Sequence, residues 1–215
     1  MKRVYSSGPL FCPEEIAGMA SIAEVLEKAG FDTFLPHRDG LERFVMPLVN
    51  TPVNNNFLGV RDIINKAIFA LDVFQIVHLC DGFVLNMNGR VPDEGAVAEA
   101  GIAFAAGKPV VLYKNDSRSV FKGIDNSMIT GLSVLKPVSH IRKLPQALIK
   151  AEHMMESMNP SGMQCVSANV ERAVRTGEKI WNVIRVLPLR NIHKKETQDL
   201  VKKILDICDQ LPDED

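Results

Sequence analysis

The sequence predicts an α/β fold: a five-stranded parallel sheet joined by crossover helices, followed by a helical extension. Short apolar runs alternate with segments of helical apolar spacing as far as residue 139, and from residue 140 onward only helical spacing remains. Polar residues also collect just after the strand-like runs, where an open parallel sheet places its ligand crevice.

Each element has a local reason. Arg3 to Ser7 forms a first strand broken by Gly8-Pro9, and Pro13 to Ala29 places Ile16, Met19, Ile22, Ala23 and Leu26 on one helical face. Gly30 closes that helix, Phe31 to Leu35 gives a second strand, and Pro36 to Gly40 is a polar turn. Leu41 to Gly59, with Pro47, Pro52 and three consecutive asparagines, is expected to be a long loop. Val60 to Leu79 is a helix with Ile63, Ile64, Ala67, Ile68, Leu71 and Phe74 inward. Strands follow at Gly82 to Leu85 and Val110 to Tyr113, separated by a helix, and a fifth is expected near Ser133 to Pro137. Three further helices span Leu144 to Met158, Val166 to Val186 and Glu196 to Leu211, and the closing Pro212 to Asp215 is expected to be disordered. The expected domains are therefore a catalytic α/β domain over 1–139 and a helical extension over 140–215, packed on the core or on a neighbouring subunit.

The bulk numbers exclude several classes. With 25 basic and 26 acidic residues intermixed along 215, the chain has no stripe suited to a nucleic-acid polymer or a membrane surface. The four cysteines and five histidines show no metal-ligand spacing, so neither a metal nor another cofactor is expected. Reduced thiols, with no signal peptide or membrane span expected, point to a soluble cytoplasmic protein. Neither GxGxxG nor GxxxxGK[ST] is present, which argues against a dinucleotide or nucleoside triphosphate.

Glu99 is the one charged residue in GAVAEAGIAFAAG, Gly95 to Gly107, a helix expected to be too apolar all round for a solvated face. Glutamate is rarely buried unless paired or used. Asp93 lies six residues earlier and can cap this helix across Gly95, whose dipole keeps a nearby carboxylate ionised. An ionised carboxylate in a dry cleft can attack an electrophilic sugar carbon, and a second carboxyl group must then manage the leaving group's proton. Asp93 and Asp72 are the candidates for that second role. Tyr5 can orient Glu99 through its phenol, Gly8 can let a ligand approach, and Leu10 and Phe11 can offer an apolar platform, although Phe11 can equally be core. Ser7, His37, Asp39 and Gly95 complete the candidate binding residues at the strand ends.

The segments Tyr5-Ser-Ser-Gly-Pro-Leu-Phe11, Asp72, Asp93-Glu-Gly-Ala-Val-Ala-Glu99-Ala-Gly101 leading to Gly107-Lys-Pro-Val, and Asn126-Ser-Met128 resemble the nucleoside 2-deoxyribosyltransferases across residues 3 to 135. The resemblance implies a flavodoxin-like domain with helices on both faces, which binds a 2'-deoxynucleoside and a free nucleobase. It implies that Glu99 attacks the anomeric carbon to form a deoxyribosyl ester, while Tyr5 orients it. Asp93 and Asp72 would meet the base and move its proton, Phe11 would flank the ring, and Asn126 with Met128 would meet the sugar 5'-hydroxyl. A homo-oligomer, dimer or hexamer, is implied as well. The chain departs from the family pattern at Ala96, where threonine is frequent. It departs also in the spacing of Asp72 from Asp81, and in helices after His140 that exceed the usual length.

Two other readings compete. A hydrolase of nucleosides or of deoxynucleoside 5'-monophosphates would share the glutamate but would need a phosphate pocket, for which Ser6, Ser7, Ser117, Ser119, Arg118 and Lys122 are available. A non-catalytic nucleotide sensor would share only the fold. Tyr5, Asp93 and Glu99 together favour the transferase, since a sensor needs no nucleophile with its orienter.

Overall fold

The computed structural model describes residues 2–49, 58–89, 91–118, 125–158, 167–188 and 194–209. The chain divides into two compact units, residues 1–35 with 76–166, and residues 36–75 with 167–215. This division differs from the boundary expected at 139/140, because the helix after residue 143 belongs to the sheet.

In the first unit, strands β1 (Arg3–Ser7), β2 (Asp32–Phe34), β3 (Gly82–Asn86) and β4 (Val110–Tyr113) form a wholly parallel sheet in the order β2-β1-β3-β4. The expected fifth strand shrinks to a single bridge between Tyr113 and Val138. Val138 donates to the Leu112 carbonyl at 2.7 Å and accepts from Lys114 at 2.9 Å. The preceding Pro137 has no N–H with which to extend the ladder.

The sheet alternates cleanly between its faces. Val4, Val84, Val111 and Tyr113 point to one face, where helix α1 (Pro13–Lys28) contributes Met19, Ile22, Ala23 and Leu26 to the core. Leu144, Ala147, Leu148 and Ala151 of the helix Leu144–Met158 pack into the same cluster, so that helix is part of the α/β core. Tyr5, Ser7, Phe83 and Leu85 point to the opposite face. There the helix Glu94–Ala105 buries only Ala96, Ala100 and Ala103, small side chains that let it approach the strands closely. Its outer side is open, with Ala98, Phe104 and Ala105 exposed, which corrects the expectation of a helix enclosed all round.

The second unit is helical. Helices α2 (Pro36–Asp39) and α3 (Glu42–Val49) stand where a turn and a long loop were expected, and residues 50–57 of that loop lie outside the described residues. Burial of Leu41, Phe44 and Val45 outweighs the cost of about 3 kcal/mol for Pro47 in a helix. Helix α4 (Leu58–Phe74) runs into a π-helical turn, Gln75–Leu79, which leads to β3 in the first unit. Numbering onward in chain order, Glu94–Ala105 is α5, Ser127–Thr130 α6, Leu144–Met158 α7, Ala168–Ile184 α8 and Lys194–Asp209 α9. Helix α8 crosses α4 at close range: a Cβ on Gly177 would stand 2.0 Å from the Ala70 carbonyl oxygen and 2.5 Å from Phe74 Cβ. Helix α9 buries Leu200 and Ile204. Among the described residues no helix is long and apolar enough to cross a membrane.

Candidate active site

The site begins with strand register. Tyr5 lies directly opposite Phe34 on one side and Phe83 on the other, so three aromatic rings form a row across β2, β1 and β3. The Tyr5 and Phe83 rings stack at 5.3 Å between centroids and 11° between planes, and Phe34 lies 5.3 Å away on the other side at 31°. With Tyr5 fully buried, this packing leaves its phenol little freedom to turn. The hydroxyl donates to Glu99 Oε1 at 2.8 Å.

Ser7 stands two residues along β1 and therefore on the same face. Its hydroxyl donates to Glu99 Oε2 at 2.5 Å. Each carboxylate oxygen thus holds a hydroxyl donor, and the side chain is fixed from β1 although it is carried by α5. Ser7 was expected to touch substrate; the structure gives it to the nucleophile candidate instead. The alternation Tyr5-x-Ser7 was the signal that both hydroxyls share one face.

Asp93 caps α5, accepting from the Ala96 N–H at 2.7 Å, which places Glu99 in the second turn of the helix as its spacing implied. Gly95 keeps the cap compact, for a Cβ there would come within 3.3 Å of Asp93 Oδ1. Asn126 caps α6 by accepting from the Met128 N–H at 2.9 Å, and the Met128 side chain is 79% exposed. Phe11 is 81% exposed, which removes the reading of it as a core residue.

Other expectations change. Gly8 is required by packing within the protein, since a Cβ there would meet Asn86 Cβ at 2.6 Å and Met19 Sδ at 2.9 Å; no ligand is needed to explain it. Leu10 packs against the α1 side of the core instead of offering an open platform. Asp72, His37 and Asp39 lie in the second unit. Asp72 is buried on α4, His37 is half-buried and its pKa is lowered by that burial, and both Asp39 oxygens accept from Arg38 Nε at 3.0 Å. The sequence reading also missed that the loops after β3 and β4 are tied together. Asn88 Oδ1 accepts from the Asn115 N–H at 2.8 Å, and Asp116 accepts from the Gly89 N–H at 2.9 Å. Arg118 pairs with the same Asp116, whose carboxyl is held far below its usual pKa, chiefly by the Arg118 side chain. Among the described residues no cluster of three or more histidines, cysteines and carboxylates could hold a metal ion.

A parallel α/β sheet with a hydroxyl-braced carboxylate near the carboxyl ends of its strands has its polar groups where such folds place small-molecule ligands. Residues 4–169 match the family model for nucleoside 2-deoxyribosyltransferase, and with most of its length matched the chain belongs to that family. Comparison with curated proteins gave no match. Among solved structures, a conserved protein from Enterococcus faecalis V583 is 21% identical with a TM-score of 0.44, covering 70% of this chain and 98% of its own. The 2-deoxyribosyltransferase from Bacillus psychrosaccharolyticus is 19% identical with a TM-score of 0.43, covering 66% and 90%. The 2-desoxiribosyltransferase from Leishmania mexicana is 15% identical with a TM-score of 0.38, covering 73% and 98%.

Proposed function

We propose that this protein transfers 2-deoxyribose between nucleobases through an ester on Glu99, as a cytoplasmic salvage enzyme. The observation that carries the reading is the bracing of Glu99 by two neutral hydroxyls, Tyr5 and Ser7. Two hydroxyl donors fix the carboxylate in one orientation, which a nucleophile requires. In the first step a Glu99 oxygen bonds to the anomeric carbon as the N-glycosidic bond breaks. The bond's electron pair leaves with the base, which is protonated by Asp93. A second base then attacks the same carbon, loses its proton to that carboxylate, and returns Glu99 to its ionised form.

In this reading the exposed Phe11 ring stacks on the base, Asn126 and Met128 meet the sugar 5'-hydroxyl, and no cofactor takes part. A homo-oligomer, a dimer or hexamer, belongs to this reading as the family resemblance implies it. The monophosphate hydrolase reading is weakened by its own candidates. Ser6 is fully buried on the sheet face opposite Tyr5, Ser7 is engaged by Glu99, and Arg118 is engaged by Asp116. Ser119 and Lys122 lie outside the described residues.

The test is incubation with deoxyadenosine and cytosine, with intact-mass measurement after trapping by a 2-fluoro-deoxynucleoside. Base exchange and a sugar adduct on Glu99 are expected. Free deoxyribose without exchange would favour the hydrolase, and binding without turnover the sensor.

A further inference from the structure

We propose that Glu99 attacks through Oε2, and that Ser7 is a positioning residue governing breakdown of the sugar ester. The inference rests on the covalent reading above and deepens it. Tyr5 has no exposed surface and its ring is wedged between Phe34 and Phe83, so the Oε1 it holds is anchored on the interior side. Ser7 is the last residue of β1, keeps 7% exposure, and carries its hydroxyl on a single rotatable bond. The oxygen able to exchange its partner for a sugar carbon is therefore Oε2.

The hydrogen bond acts differently on the two steps. When Oε2 bonds to the anomeric carbon the carboxylate loses its charge, and the Ser7 donor loses most of its stabilising effect, which opposes ester formation. When the incoming base displaces the ester, the C–O bond breaks with its electron pair on Oε2. Ser7 then donates to the returning anion and lowers the barrier to its departure. Ser7 thus limits the lifetime of the intermediate, and the only co-reactant required is the second nucleobase.

The experiment compares wild type, Ser7→Ala and Ser7→Thr in base exchange and in trapping with the 2-fluoro-deoxynucleoside. For Ser7→Ala the turnover of the adduct is expected to slow by roughly tenfold, because a hydrogen bond to a departing anion is lost. The acidic limb of kcat/KM should move upward by about one pH unit, because the free carboxylate loses a donor. Ser7→Thr, which keeps the hydroxyl, should restore both. A wild type that forms no adduct overturns the covalent reading itself. A wild type that forms one, with Ser7→Ala matching its adduct lifetime and pH limb, overturns the role of Ser7 alone. A slower adduct that Ser7→Thr fails to rescue, with the pH limb unmoved, also overturns it.

Discussion

Tyr5 and Glu99 stand 94 residues apart in the chain and meet through a 2.8 Å hydrogen bond from the phenol to Oε1. The contact exists because β1 and β3 are adjacent in the sheet and α5, which follows β3, packs back over the face that Tyr5 occupies. Removing only the phenolic oxygen leaves that packing intact. Tyr5→Phe should keep the aromatic row and the melting temperature, while kcat for base exchange falls by about 10- to 100-fold, the worth of one hydrogen bond to a charged group. Steady-state kinetics beside a thermal melt checks both halves.

Asp93 caps α5 and is the acid of the proposed reaction, and two substitutions separate the roles. Asparagine caps a helix about as well as aspartate but cannot donate an acid proton, so Asp93→Asn should fold with wild-type stability and lose most base exchange. Asp93→Ala should lose about 1 kcal/mol of stability in addition. Denaturant titration of the two variants, with exchange assays at several pH values, separates cap from catalysis.

Phe11 offers an exposed ring with no core duty to lose. Phe11→Ala should leave the melting temperature of the isolated chain unchanged and raise KM for the nucleoside by about tenfold, the worth of one stacking contact. An unchanged KM would remove Phe11 from the base site.

Gly177 lies where α8 touches α4, and its missing side chain is filled by the backbone of Ala70. Gly177→Ala forces the helices apart and should destabilise the helical unit by about 2 kcal/mol or more, read as a lowered denaturation midpoint. Gly18→Ala is the control, since a Cβ there meets nothing within 4 Å.

His37 contributes one pH dependence of stability. Its pKa is lowered from the usual 6.5, because burial disfavours the imidazolium. The unfolded chain therefore binds the proton more readily than the folded one. Stability is fully present above pH 6.5 and falls as the pH drops through that value toward the folded-state pKa. His37→Gln should flatten this part of the curve, measured as melting temperature between pH 7.5 and pH 5 in roughly half-unit steps.

The sequence carried the local information. Alternating strand and helix periods, Asp93 at a cap and one charge in the run around Glu99 all follow from residues within a few positions of one another, where backbone geometry dictates the pattern. Even the nucleophile candidate was legible, because an ionisable group in an apolar run needs a partner or a use. The tertiary fold decided everything that rests on contacts distant in sequence. Packing assigned Gly8 to Asn86 and Met19, turned a proline-containing loop into α3, and drew α7 into the sheet core. It also brought the Ser7 hydroxyl to Glu99, across 92 residues of chain. Local propensities are worth a fraction of a kcal/mol per residue, whereas burial of one large apolar side chain contributes about 1.5–3 kcal/mol, so where the two compete the packed arrangement prevails.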